Sequence, residues 1–291
     1  MTAMEILATG PRALVEDLGR PGLARLGVGR SGAADRASHG LAQRIVGNPE
    51  DAAGIEVTLG GLRFRSHGAS IIAVTGAPCP ISVDGQERSV GELICVPDGA
   101  EVSLGAPSTG LRSYVAVRGG IDVEPELGSR STDTMSGLGP PALEKGTFLP
   151  VGEPSRTLPG VDAVALPPLR SAPVELRILP GPRVDWITTP DAVTAHDWQV
   201  SSRSDRIGVR LEGEPIERHP DHASTELPSE GVVRGSLQVP PGGEPVLFLA
   251  DHPVTGGYPV AAVVIDEDVD RAAQLRPGDQ VRLRWEGAAP R

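Results

Sequence analysis

Lysine is almost missing from this chain: Lys145 is the only one, so arginine supplies all but one of the 27 basic residues. That scarcity excludes whole classes of chemistry. A P-loop needs a Gly-Lys-Ser/Thr lysine on the nucleotide phosphates, a Schiff-base enzyme needs a reactive amine, and a biotin carrier needs a lysine to acylate. Lys145 sits in "ALEKGTF", which fits none of these settings, so no covalent biotin is expected on this chain. A bound phosphate or carboxylate must rely on arginine, backbone N–H groups or helix N-termini.

Cysteine is scarce as well. Cys79 and Cys95 are too few for a disulfide scaffold and read as reduced, buried thiols of a cytoplasmic protein. No apolar run approaches the length that spans a bilayer, and Met1-Thr2-Ala3-Met4-Glu5 lacks the basic flank and apolar stretch of a secretory signal. The net charge of −11 argues against nucleic acid or an anionic membrane as the main partner. His219-Pro-Asp-His222 lies in a proline-broken polar loop without the i, i+4 face of a zinc-binding helix, so no metal is expected.

Short apolar or alternating runs broken by Gly and Pro dominate the pattern. Ser70–Thr75, Ser113–Val117, Val174–Leu179, Val246–Ala250, Val260–Ile265 and Gln280–Trp285 all read as strands. Helices are few. In "SGAADRASHGLAQRIVGNP", Ser31 is the expected cap, Ala37, Leu41 and Ile45 recur every four residues, and Gly47-Asn48-Pro49 stops the run. A second helix is expected in "DEDVDRAAQLRPGD", acidic at its start and stopped by Pro277-Gly278. Five prolines between Gly152 and Pro173 suggest a linker or irregular crossing over 153–173. It would separate domains over 1–152 and 174–291. "VPDGAEVSL" echoes "LRPGDQVRL", which favours two related β-rich halves.

Several stretches could carry chemistry. In "VEDLGRPGLARLGVGRSGAAD", Asp17, Arg20 and Asp35 stand among glycines, ahead of a helix N-terminus; clustered N–H groups plus arginine suit an anion, and bracing turns are the alternative. "YVAVRGGID" ends a strand in Arg118-Gly119-Gly120, a cation with two unobstructed amides, and "LGSRSTDT" follows with Ser129, Ser131, Thr132 and Asp133. Farther on come Arg206 in "SSRSDRIG", Gln238 in "GSLQVPPGGEP", and Asp251, Thr255, Gly256, Gly257 and Tyr258 in "ADHPVTGGYPV". A Gly-Gly pair after a strand permits close backbone approach, with Tyr258 as a wall; a tight turn explains the same letters.

The pieces "VEDLGRPG", "SGAAD", "IVGN", "IEVTLGG", "RGGID", "LGSRSTDT", "SDRIGVRL", "GSLQVPPGGEP", "ADHPVTGGYPVAAVVI" and "AQLRPGDQV" run in order through nearly the whole chain. Together they resemble the family that holds allophanate hydrolase subunit 2, the C subunit of 5-oxoprolinase and biotin-dependent carboxyltransferases. That resemblance implies a mainly β fold with a few short helices, arranged as two tandem cyclophilin-like β-barrel domains. It implies a second cyclophilin-like subunit as partner, with a further lactamase-like subunit in the 5-oxoprolinase case. There the assembly opens 5-oxoproline to glutamate at the expense of ATP, in a site shared between subunits. Its alternatives are carboxyl transfer from carboxybiotin to urea, or a non-catalytic antagonist that binds a kinase-inhibitor protein. On this reading Asp17 and Asp35 are the candidate catalytic carboxylates. Arg20, Arg118, Gly119, Gly120, Arg206, Gln238, Thr255, Gly256, Gly257 and Tyr258 would surround a small acid, an amide or a phosphate. Glu16 stands where the family usually has glutamine, Gln43 near a common asparagine, and His252 in place of an arginine.

Overall fold

The computed structural model describes residues 2–167 and 173–290. The chain forms two compact units, Met1–Pro21 with Ser31–Leu169, and Gly22–Arg30 with Arg170–Arg291. It is mainly β, with two α-helices among the described residues, α1 (Arg36–Ile45) and α2 (Asp266–Ala272). Among the described residues no helix is long and apolar enough to cross a membrane.

In the first unit the strands make two sheets. One runs Phe148–Pro150, Ala3–Thr9, Leu62–His67, Glu101–Leu104, Ile81–Val83, Gln86–Arg88; the other runs Arg12–Glu16, Gly54–Thr58, Arg112–Val117, Ser70–Gly76, Leu93–Val96. Alternate residues of both sheets meet in one core, including Met4, Ile6, Phe64 and Val102 from the first and Val15, Ile55, Val74 and Val117 from the second. Successive side chains of a strand point to opposite faces. Strand Arg112–Val117 is nevertheless buried along its whole length. Its Val115 and Val117 enter the core between the sheets, while Tyr114 and Ala116 pack under α1 with Ala42, Ile45 and Val46. This central strand therefore ties the core to the helix.

Helix α1 starts later than the sequence suggests. Asp35 is its cap, accepting Ser38 N–H at 2.9 Å and Ser38 Oγ–H at 2.7 Å. Ser31 is not the cap; it is buried with φ of 53°, in the left-handed region. Residues 31–34 are drawn to other partners. A Cβ on Gly32 would lie 2.7 Å from Gly19 N, so only glycine fits against that backbone.

The second unit closes. Its seven strands, in order Val174–Pro180, Val260–Val264, Ser236–Gln238, Val246–Phe248, Gly208–Glu212, Trp198–Val200 and Gln280–Trp285, form a barrel sealed by the parallel pairing of the first and last. Leu176, Ile178, Trp198, Leu211, Leu237, Leu247 and Leu283 fill it, and α2 adds Val269 and Ala272. Closure removes free strand edges.

The expected linker 153–173 needs correction. Residues 168–172 lie outside the described residues. Upstream, Leu93 N–H donates to Asp162 O at 2.8 Å and Val164 N–H to Gly91 O at 2.9 Å. Residues 162–164 thus continue a sheet edge of the first unit. Pairing these backbone groups outweighs the proline content of the stretch.

Candidate functional site

Asp17 ends the strand Arg12–Glu16 and is the hub of a loop cluster. Its Oδ1 accepts from Gly19 N at 2.7 Å, Ser129 Oγ at 2.7 Å and Ser131 Oγ at 2.6 Å, and its Oδ2 accepts from Arg130 N at 2.6 Å. Four donors hold both oxygens. Hydrogen bonds to a carboxylate are short and strong, so Asp17 braces its own loop and residues 129–131.

Arg20 enters the same cluster. It is only 2% exposed. Nη2 donates to Ser131 O at 2.6 Å and Nε to Glu126 O at 3.4 Å, while Nη1 is buried without a hydrogen-bond partner among the described residues. Both acceptors are neutral carbonyls. A guanidinium fork with a spare arm suits a carboxylate or a developing oxyanion. Gly139 makes room for it: a Cβ there would meet Ser131 O at 2.0 Å and Arg20 Nη2 at 3.2 Å.

A second polar network underlies the start of α1. Glu56 Oε2 accepts from Ala34 N and from Tyr114 Oη, each at 2.9 Å, and Arg112 Nε lies 3.3 Å from Glu56 Oε1. The Tyr114 hydroxyl in turn accepts Asp35 N–H at 2.8 Å. Burial first, then the Glu56 and Asp35 charges, push the Tyr114 phenol well above its usual range. His39 lies edge-on to Tyr114, with ring centroids 6.1 Å apart. Burial lowers the imidazole's pKa below its ordinary value against the opposing pull of Asp17. Sequence reasoning missed Glu56 and Tyr114. The signals were a lone acid inside "GIEVTLGG" and one of only two tyrosines on an apolar strand.

Arg118-Gly119-Gly120 does not open an anion nest. Arg118 Nη1 donates to Val46 O at 2.9 Å, at the C-terminal end of α1, and Nη2 donates to Arg156 O at 2.7 Å. Gly119 N–H is taken by Asn48 Oδ1 at 2.9 Å and Gly120 N–H by Val117 O at 2.8 Å. Asp35 and Arg118 therefore serve opposite ends of a ten-residue helix, about 15 Å apart at 1.5 Å per residue. Arg118 is the remote one, since Ala33 N–H donates to Asp17 O at 2.9 Å and keeps the start of the helix beside the Asp17 loop.

In the second unit, Arg206 is engaged by Asp251, Nε to Oδ2 at 2.9 Å and Nη2 to Oδ1 at 3.1 Å. Gln238 Nε2 donates to Tyr258 O at 2.9 Å. Thr255 and Gly256 pair with Gly231 and Glu230 in a two-stranded ribbon, and Tyr258 is 45% exposed. The glycine pair divides its labour. A Cβ on Gly256 would sit 2.4 Å from Gln238 Nε2, whereas one on Gly257 would meet nothing nearer than Leu227 O at 3.7 Å. The first glycine admits the Gln238 amide, so close approach is internal at this point. The histidines of the proline-broken polar loop have other work. His222 stacks on Trp186 with centroids 4.3 Å apart, and His219 Nδ1 accepts Asp221 N–H at 3.3 Å.

The chain belongs to the family described as "Carboxyltransferase domain, subdomain A and B", which matches residues 26–285. It is 35% identical over 285 residues to the C subunit of 5-oxoprolinase from Escherichia coli, covering 96% of this chain and 90% of that one. It is 34% identical over 308 residues to urea amidolyase of Saccharomyces cerevisiae, covering 97% of this chain and 16% of the relative. The crystal structure of the K. lactis urea amidolyase superposes with a TM-score of 0.89 at 30% identity, over 97% of this chain and 18% of that one.

Proposed function

We propose that this chain is the C subunit of an ATP-dependent 5-oxoprolinase and works with a second cyclophilin-like subunit and a lactamase-like subunit in the cytoplasm. The observation that carries the reading is the 35% identity to the Escherichia coli 5-oxoprolinase C subunit across 90% of that protein's length. The urea amidolyase of Saccharomyces cerevisiae is matched over only 16% of its length, as one part of a larger chain.

The chemistry fits the residues of the first unit. 5-Oxoproline carries a carboxylate and a lactam carbonyl. ATP would phosphorylate the lactam oxygen with release of ADP, water would add to the activated carbon, the C–N bond would break with nitrogen taking a proton, and loss of inorganic phosphate would leave glutamate. Arg20, with one buried guanidinium arm free of a hydrogen-bond partner among the described residues, would hold the carboxylate or the oxyanion. Asp17 would position Arg20 indirectly, by fixing Ser131, whose carbonyl holds Nη2. Arg206 already holds a carboxylate and Arg118 spends two of its five donors on carbonyls, so the two do not by themselves make a triphosphate clamp. This supports an ATP site completed by a partner. The carboxyltransferase reading, favoured by the family match, would need carboxybiotin supplied by another chain.

The test is omission. The chain alone, the partners alone and the full mixture are assayed for ADP and glutamate from ATP and 5-oxoproline. Turnover only in the mixture is expected; turnover by the isolated chain, or by the partners without it, overturns the reading.

A further inference from the structure

A cleft of about 460 Å³ opens on the first unit, between the end of strand Ser70–Gly76, strand Leu93–Val96, Arg118 and the segment after Val151. Its apolar wall is made by Ile71, Pro97 and Val151. The size lies within the range of small-molecule sites. Cys95 pairs with Ile71 across neighbouring strands, and Arg118 N–H donates to Ile71 O at 2.8 Å. Directly opposed residues share a face of the sheet, so Cys95, Ile71 and Arg118 form one row on the cleft floor.

Two opposite charges reach the cleft from adjoining backbone. A Cβ on Gly119 would lie 1.9 Å from Gly152 O, and Arg118 and Glu153 immediately flank that contact. Arg118 gives one N–H to each of two carbonyls. Its guanidinium has five N–H donors, which leaves three, and among the described residues no carboxylate pairs with it. Glu153 is exposed and makes no hydrogen bond or ion pair among the described residues. The two charges do not neutralise each other, although the glycines beside them touch.

We propose that this cleft binds a small aliphatic α-amino acid: its carboxylate on Arg118, its ammonium on Glu153, its side chain against Ile71, Pro97 and Val151. A guanidinium fork matches a carboxylate, a lone carboxylate beside it matches the ammonium, and the apolar walls suit an aliphatic side chain. The inference does not depend on the ATP-coupled reading.

Cys95 supplies the readout: Cys79 is buried as expected, whereas Cys95 sits at an outward position of its strand, is exposed against that expectation, and lines the cleft. The full chain is alkylated with iodoacetamide, and modification of Cys95 is followed by mass spectrometry against L-leucine, 4-methylpentanoate and isoamylamine. L-Leucine is expected to slow alkylation saturably, and the two analogues, each lacking one charge, to protect only at several-fold higher concentration. Glu153→Gln removes no side-chain contact seen among the described residues. It should bring L-leucine down to the level of 4-methylpentanoate and leave 4-methylpentanoate unchanged, with the melting temperature intact. No protection by L-leucine up to its solubility limit, or equal protection by all three compounds, overturns the proposal. An unchanged L-leucine response in Glu153→Gln also overturns it.

Discussion

The Arg206 guanidinium and the Asp251 carboxylate meet in a two-pronged ion pair, at 2.9 and 3.1 Å, with both side chains buried. Backbone bonding reinforces it, since Asp251 N–H donates to Arg206 O at 3.0 Å. Removing one partner of a buried pair strands the other charge, which costs about 3–5 kcal/mol. Asp251→Asn is therefore expected to lower unfolding stability by that order in urea titrations. Normal stability with altered ligand affinity would instead assign Arg206 to substrate.

Asp17→Asn separates a loop hub from a base. Asparagine offers one acceptor oxygen where the carboxylate now serves four donors. We expect a stability loss of about 1.5–3 kcal/mol, the range for hydrogen bonds to a charged group, together with loss of turnover in the assembled enzyme. Loss of turnover with an unchanged denaturation midpoint would make Asp17 a proton acceptor.

Acid should weaken the first unit through His39. Its folded pKa lies below the ordinary 6.5, so below that pH the unfolded chain binds the proton more readily. The contribution of His39 is complete above the unfolded pKa. It is lost as pH falls from there towards the folded value, by at most about 1.4 kcal/mol per pH unit. His39→Gln should flatten this part of the stability–pH curve. An identical slope in the variant would show that other groups set it.

Gly256 and Gly257 should respond differently to the same added methyl. Gly256→Ala pushes on Gln238 Nε2 and endangers its bond to Tyr258 O, a loss of about 0.5–1.5 kcal/mol. Gly257→Ala has space and should stay within the scatter of neutral surface changes. Thermal melts of the two variants decide it; equal destabilisation would contradict the assignment.

Most of the β architecture was legible because strand burial follows alternation. Gln280–Trp285 matches the expected strand at both ends, and Val260–Val264 misses by one residue. Long-range polar pairing was not legible. Nothing local in "SDRIG" reveals that Arg206 meets an aspartate 45 positions on, and nothing in "RGGID" reveals that Arg118 closes the end of a helix 72 positions back. Ser31 misled for the same reason. Its residue type suits a cap, but tertiary contacts of Gly32 and Ala34 delay the helix until Asp35. The glycines around Asp17 and Arg20 drew attention to that loop, while the saturation of Asp17 by Ser129 and Ser131 depends on residues more than a hundred positions away.

The most direct measurement sets the two candidate substrates against each other in one reconstituted system containing this chain, the proposed cyclophilin-like partner and the proposed lactamase-like subunit. With ATP and 5-oxoproline, glutamate and ADP should appear in equal amounts, and Arg20→Lys should raise KM for 5-oxoproline without a matching drop in melting temperature. With urea and carboxybiotin carrier in place of 5-oxoproline, no carboxylated product is expected. Carboxyl transfer to urea, with no chain-dependent glutamate formation, would contradict the proposed function.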